Sequence, residues 1–252
     1  MSLNSNDGLF TVHAGELGAT AWSALEALAS HRALAIDGVF GVDECAAYVR
    51  AVQDARAEWV SAFGNEQFSL GRAFYTDLEQ DRCGEYFRGA RASDASVERH
   101  LPGMQAALRE LVARVTGGRS FPRRGFCGPG VHIFPAGEKV ARSGGVVHFD
   151  TEGLTPHHLR ARKRALSVIV MLGLPESGAA IRVWDVFYAG RDRATASELR
   201  KPSSAFKYSL GGAIVIDSYR LHQILPFQGQ QDRISATVHA AEVDPGCWET
   251  WF

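Results

Sequence analysis

The 252-residue chain has no charge imbalance: 27 Lys+Arg stand against 28 Asp+Glu, a formal net charge of −1 at pH 7. Without an excess positive field to attract phosphate, this balance argues against a general nucleic-acid or membrane-surface binder. Long apolar runs are missing too. The longest, residues 166–174, falls far short of the about 20 residues a transmembrane helix needs, so no membrane span is expected. Residues 1–8 are polar and lack the charged-then-apolar pattern of a signal peptide. Cysteine is scarce: Cys45, Cys83, Cys127 and Cys247 lie far apart with no CxxC pair, which argues against a zinc ribbon or a thioredoxin-type site. Reduced thiols and a cytoplasmic location are expected. No internal repeat, low-complexity tract or interdomain linker interrupts the chain, so residues 1–252 are expected to form a single domain. A hydrophobic content of 46% and a charged content of 22% are ordinary globular values, and the length suffices for a substantial core.

Two halves read differently. Residues 1–120 are mainly helical support. Residues 21–30 are rich in helix formers and set Trp22, Leu25 and Leu28 on one face. Residues 33–36 read as a short strand followed by an Asp37-Gly38 turn. Residues 43–63 read as one long amphipathic helix, with Asp43 as N-cap and Ala47, Val49, Val52, Trp59 and Phe63 towards the core. Residues 102–115 form another helix, ended by Gly117-Gly118. Residues 64–100 are less regular and mix aromatics such as Phe68, Phe74 and Tyr75 with Arg72, Arg82, Arg88 and Arg91. Such a segment is either a lid over a pocket or a solvated excursion.

From Phe121 onward the chain becomes short strands punctuated by Gly and Pro, at 131–134, 145–149, 165–172, 180–184, 212–217, 223–226 and 234–242. Strands at this spacing without long intervening helices predict an antiparallel jelly roll. The fold class is therefore α+β, with the helical half packed on one sheet. Trp184, Trp248 and Trp251 read as core, and residues 157–164, with His157 and His158, as a solvated loop.

The chemistry is concentrated in three places. Residues i and i+2 of a strand share a face, so His148 and Asp150 can reach one metal while Phe149 faces the opposite core. His222, on another strand, can supply a third ligand. Two imidazoles and a carboxylate form the donor set suited to non-haem Fe(II), with three positions left open. An HxD pair alone is weak, but Arg233 follows His222 by eleven residues, past turn signals at Pro226 and Gly229. That spacing returns Arg233 to the same barrel with Ser235 on its strand face. A buried arginine needs an anion, and an arginine fork beside a hydroxyl suits a carboxylate.

The set His148-x-Asp150, His222 and Arg233-x-Ser235 resembles the Fe(II)/2-oxoglutarate-dependent oxygenases, over residues 121–242. Residues 211–227 are similar to that family's second-histidine strand and turn, and residues 35–40 with the helix after them to its N-terminal support. The resemblance implies a double-stranded β-helix, with His148, Asp150 and His222 holding iron and Arg233 with Ser235 anchoring the distal carboxylate of 2-oxoglutarate. It implies consumption of O₂ and 2-oxoglutarate, release of succinate and CO₂, and hydroxylation of an unactivated C–H bond. Desaturation, epimerisation or cyclisation are alternative outcomes on the same scaffold. A non-catalytic jelly-roll binding protein is a third reading, and a cupin-type hydrolase would leave Arg233 without a purpose. A narrower resemblance, carried by residues 148–154 and 71–76, is to bacterial enzymes acting on free amino acids and similar small metabolites, including carrier-independent radical halogenases. In those halogenases glycine replaces the carboxylate, whereas here Asp150 is present, which favours hydroxylation. The implied substrate is a small polar molecule, an amino acid or derivative, with Arg72, Tyr75 and His132 as candidate contacts.

Overall fold

The computed structural model describes residues 8–18 and 23–252. Trp22 and most of the polar N-terminus lie outside the described residues.

The largest sheet has ten strands. Its main path runs Leu9–His13, Ala33–Asp37, Ala213–Asp217, Ala165–Gly173, Arg233–Asp244, Gly130–Phe134, Gln67–Leu70, Val60–Ala62. Cys247–Trp251 also pairs with Arg233–Asp244 and, on its other side, with Arg119–Pro122. A smaller sheet joins Ser203–Phe206, Ile181–Phe187 and Arg220–Ile224, all antiparallel. The two sheets form the jelly roll that the strand spacing predicts.

The Arg233–Asp244 strand shows how the sequence divides its two faces. Its residues are buried almost without break, because both faces are covered. Ile234, Ala236, Val238 and Ala240 join the main core. Arg233, Ser235, Thr237 and His239 alternate with them and line a cavity between the sheets. Val131 and Ile133 face the core while His132 and Phe134 face the cavity, and Val168 and Val170 flank Ile169 in the same manner. The helices Ala24–Ser30, Val42–Asp54, Cys83–His100 and Met104–Thr116 lie on the outer face of the large sheet, where Leu28, Val52, Val97, Leu101, Met104 and Leu108 complete the core. Full burial of each large side chain there contributes about 1.5–3 kcal/mol.

Several expectations need correction. The helix foreseen over 43–63 stops early: Val42–Asp54 is helical, Arg56–Glu58 is one 3-10 turn, and Val60–Ala62 is a strand paired with Gln67–Leu70. The indole N–H of Trp59 donates to the Val52 carbonyl at 2.8 Å, satisfying a last-turn acceptor and folding the chain back. Gly41, not Asp43, is the N-cap; Asp43 sits in the first turn, where its charge suits the helix dipole. Residues 64–100 are more regular than they read, with Phe74–Glu79 and an 18-residue helix Cys83–His100. That helix buries only Tyr86, Ala90, Ser93 and Val97. The spacing is helical, but two of the four residues are too small to signal an apolar stripe. Residues 145–149 form no strand and contribute one bridge, His148 to His222. The 223–226 strand lies instead at Arg220–Ile224. Residues 157–164 are not a loop: Pro156–Ala161 is a helix, in which His158 is buried and its Nδ1 accepts the Thr155 N–H. Trp184, Trp248 and Trp251 are core residues as expected.

Candidate active site

His148 and His222 are brought together by backbone pairing. Each N–H donates to the other's carbonyl at 3.0 Å, and the ring centroids stand 4.2 Å apart. The Asp150 N–H donates to the Ser218 carbonyl at 2.9 Å, pinning the carboxylate beside them. Phe149 points away into a cluster with Trp184, Val186 and Leu221, as two-residue alternation requires.

Both rings are oriented from behind. His148 Nδ1 lies 2.8 Å from the Val146 carbonyl, and His222 Nδ1 lies 2.9 Å from the Arg220 carbonyl. A carbonyl only accepts, so each Nδ1 carries the proton and each Nε2 is turned towards Asp150. Asp150 Oδ1 is 3.2 Å from His148 Nε2 and Oδ2 is 3.4 Å from His222 Nε2. One donor atom from each residue lies within 4.8 Å of the others. Burial alone would raise the Asp150 pKa, but His222 and His148 hold it well below the carboxylate range. Burial alone would lower that of His148, but the Asp150 hydrogen bond and charge raise it to about 9. Two neutral-capable imidazoles and one firmly ionised carboxylate suit a divalent metal of the Fe(II) type.

Across the cavity, Arg233 is 1% exposed. Its Nη1 donates to Ser235 Oγ at 3.1 Å, and its guanidinium lies 5.2 Å from each of the Phe134 and Tyr208 rings. Among the described residues no carboxylate pairs with it, and its Nε is buried without a partner. The Thr237 hydroxyl is also buried and unpartnered, and the Tyr208 hydroxyl, facing the guanidinium, has no bond of good geometry. A buried cation ringed by unsatisfied hydroxyls is costly unless an anion completes it. These residues fit the carboxylate of an organic acid such as 2-oxoglutarate. Thr237 was legible as the next inward position after Ser235. Tyr208 was not, because it lies outside any strand and arrives only through the tertiary fold.

The cavity holding both sets measures about 360 Å³. Tyr75 and His132 both line it, with ring centroids 5.6 Å apart. The Tyr75 hydroxyl accepts from Gln67 Nε2 at 2.5 Å. Burial, with help from His239 and Arg233, pushes the His132 pKa down to about 3, so its ring is neutral. Arg72 does not line the cavity. Its Nε and Nη2 grip the fully buried Asp77 at 2.7 and 2.9 Å, and Glu85 takes a further contact at 3.3 Å. The candidate substrate contact at Arg72 is thus a structural ion pair. His239, unremarked in the sequence, also lines the cavity; its Nδ1 meets Ser167 Oγ at 3.1 Å and its ring stacks on Trp251.

No family model matches the chain, and no curated protein matches its sequence. Solved structures do match. A novel N-substituted L-amino acid dioxygenase from Burkholderia ambifaria AMMD superposes with a TM-score of 0.55 at 14% identity, covering 91% of this chain and 90% of that one. A 2OG-Fe(II) oxygenase family oxidoreductase from Burkholderia pseudomallei gives 0.54 at 13%, over 96% and 98%. The epimerase SnoN, in complex with Fe3+, alpha ketoglutarate and nogalamycin RO, gives 0.52 at 18%, over 87% and 86%. The chain therefore has the jelly-roll fold of the 2OG-Fe(II) oxygenase structures, as the His-x-Asp, His and Arg-x-Ser residues led one to expect.

Proposed function

We propose that the chain is an Fe(II)/2-oxoglutarate-dependent oxygenase that hydroxylates a C–H bond of a small molecule. The observation that carries this reading is the pairing, across one cavity, of a His-Asp-His donor set with a buried arginine that has no anion of its own. His148, Asp150 and His222 would hold the iron through two Nε2 atoms and a carboxylate oxygen. Arg233 and Ser235, with Tyr208 and Thr237 beside them, would receive the distal carboxylate of 2-oxoglutarate. When bound, iron, 2-oxoglutarate and O₂ supply the oxidising chemistry, at the cost of 2-oxoglutarate becoming succinate and CO₂. The protein's share is orientation and exclusion of water. The Nδ1 contacts to Val146 and Arg220 fix the two rings, and Phe134, Ile169 and Ile181 wall the cavity with apolar surface.

Asp150 supplies the carboxylate donor, which favours hydroxylation over halogenation, and hydroxylation is the proposed outcome. Epimerisation is the second reading, favoured by the likeness to an epimerase of the same fold. The test is O₂-dependent succinate release by the iron-loaded protein, with Asp150→Ala alongside. Release by the parent and its loss in the variant support an oxygenase. No release from protein shown to carry iron supports the binding-protein reading. Product mass then separates the outcomes: a gain of one oxygen for hydroxylation, no change for epimerisation.

A further inference from the structure

We propose that His239 is a substrate-binding residue of this site: an imidazole that donates from Nε2 to a neutral carbonyl oxygen, of an amide or a ketone, on the molecule to be oxidised. This deepens the proposed oxygenase reading, which supplies the fate of the bound molecule but not its binding.

A buried hydroxyl relay holds the ring. His239 Nδ1 lies 3.1 Å from Ser167 Oγ, and Ser167 Oγ lies 3.0 Å from Ser218 Oγ. Ser167 is fully buried and Ser218 almost so. Neither hydroxyl has another hydrogen-bond partner among the described residues. Only one arrangement uses both hydroxyl protons: Ser218 donates to Ser167, and Ser167 donates to Nδ1. Every other direction leaves a hydroxyl proton buried and unpaired, which is costly. Nδ1 therefore accepts, and the ring proton sits on Nε2. This is the reverse of His148 and His222, whose Nδ1 atoms carry the proton against carbonyls. Burial holds the His239 pKa below the ordinary histidine value, so the ring is neutral.

The Nε2 end has no protein partner among the described residues, and the half-buried ring lines the cavity that holds the triad. A ring needed only for packing calls for no relay behind it and no open donor in front. Its place in the cavity separates it from the co-substrate. Arg233 and His239 share one face of one strand, six residues apart, which is about 20 Å of extended chain. The five-carbon chain of 2-oxoglutarate, anchored at Arg233, is far too short to reach His239. Ser218, where the relay begins, also accepts the Asp150 N–H on its carbonyl at 2.9 Å. The ring and the candidate metal ligand are thus held from the same residue. His239 also stacks on Trp251 at 6.0 Å, and Trp251 meets Phe126 at 6.5 Å. Phe126 lines an outer cleft of about 600 Å³ that shares Glu79 and Glu152 with the inner cavity. His239 therefore stands beside the triad, at the end of the cavity nearer the outer cleft. The carboxyl groups of Glu79 and Glu152 disfavour an anion there, and a neutral N–H brings no charge to hold one. A neutral carbonyl oxygen accepts the bond without adding charge.

The experiment has two readouts on the full chain loaded with Zn(II), a redox-silent stand-in for Fe(II), with and without 2-oxoglutarate. The first is two-bond proton–nitrogen NMR of protein labelled at histidine nitrogen, with His239→Gln assigning the His239 signals. The expected result is a proton on Nε2 in the parent and a mixture of tautomers in Ser167→Ala. The second is calorimetric binding of probes that share one phenethyl skeleton. 3-Phenylpropanamide and 4-phenyl-2-butanone carry a neutral carbonyl, 3-phenylpropionate a carboxylate, and 2-methyl-4-phenyl-1-butene a methylene in place of the oxygen. At least one carbonyl probe should bind about fivefold or more tighter than both the alkene and the carboxylate, the worth of one hydrogen bond. His239→Phe should abolish that preference, and His239→Gln, which keeps an N–H donor, should retain part of it. Ser167→Ala should weaken it and carries the test if His239→Phe fails to fold. The inference is overturned by a proton on Nδ1 in the parent, by failure of both carbonyl probes to outbind the alkene and the carboxylate, or by a preference that survives in full in His239→Phe. Carbonyl preference without 2-oxoglutarate binding would remove the oxygenase reading and leave the His239 site. The reverse pattern would remove the His239 site alone.

Discussion

His148 and His222 exchange a reciprocal pair of backbone hydrogen bonds, 3.0 Å each way, and this single bridge positions the candidate metal site. Both imidazoles are fixed by main-chain geometry first and by their Nδ1 contacts second. Asp150 follows by alternation along the same extended segment, so the donor set is preorganised by backbone register.

Asp150→Asn should leave the fold intact and weaken Fe(II) binding by about 100-fold or more, since even supporting contacts around a ligand cost 10–100-fold. An anaerobic Fe(II) titration followed by competition with a chelator measures it. Unchanged affinity would remove Asp150 from the donor set.

Arg233→Met should separate stability from function. Replacing a buried, anion-free guanidinium with an apolar side chain of similar length is neutral or stabilising in the ligand-free protein, by about 1–4 kcal/mol in comparable buried-charge replacements. The same change removes charge-assisted hydrogen bonds worth about 1.5–3 kcal/mol each to a bound carboxylate. Thermal unfolding with and without 2-oxoglutarate reads both. The parent should be stabilised by 2-oxoglutarate and the variant should not.

Arg72→Ala should destabilise the protein by about 2 kcal/mol, because Asp77 is left buried with only Arg82 beside it, 3.0 Å away. Substrate KM should be unchanged, since Arg72 does not line the cavity. A rise in KM at unaltered stability would restore its role as a substrate contact.

Stability should fall as the solution is acidified below about pH 6.5, the ordinary histidine value. His132 has a folded-state pKa of about 3. Above pH 6.5 neither state is protonated there, and its contribution is nil. Between 6.5 and 3 the unfolded chain binds a proton that the folded chain refuses, so folding is opposed, by at most about 1.4 kcal/mol per pH unit. His132→Phe should flatten this slope in denaturant titrations at pH 4–6. The lowered pKa values of His158 and His239 would retain part of it.

The chemistry-bearing residues were more legible than the scaffold around them. His148, Asp150 and His222 are readable because two-residue alternation is a strong local rule. Arg233 and Ser235 are readable because a turn of known length returns the strand. The helix Cys83–His100 carries no clear apolar stripe because Ala90 and Ser93 give no hydrophobic signal, and Trp59 and Phe63 continue the helical period of Val42–Asp54 beyond its end by coincidence. The fate of Arg72 depended on Asp77, whose complete burial is a tertiary fact. The positions of Tyr208, Glu79 and His239 in one cavity have no local signature at all.

The central claim is that the His-Asp-His set and Arg233 serve one metal and one 2-oxoglutarate. The most direct test is anaerobic titration of the Fe(II)-loaded protein with 2-oxoglutarate, comparing wild type with Arg233→Ala and watching the visible charge-transfer band of the chelated keto acid. The account predicts a band in the wild type that is lost or greatly weakened in the variant at the same concentration. A wild-type protein with iron fully loaded and no band would contradict it.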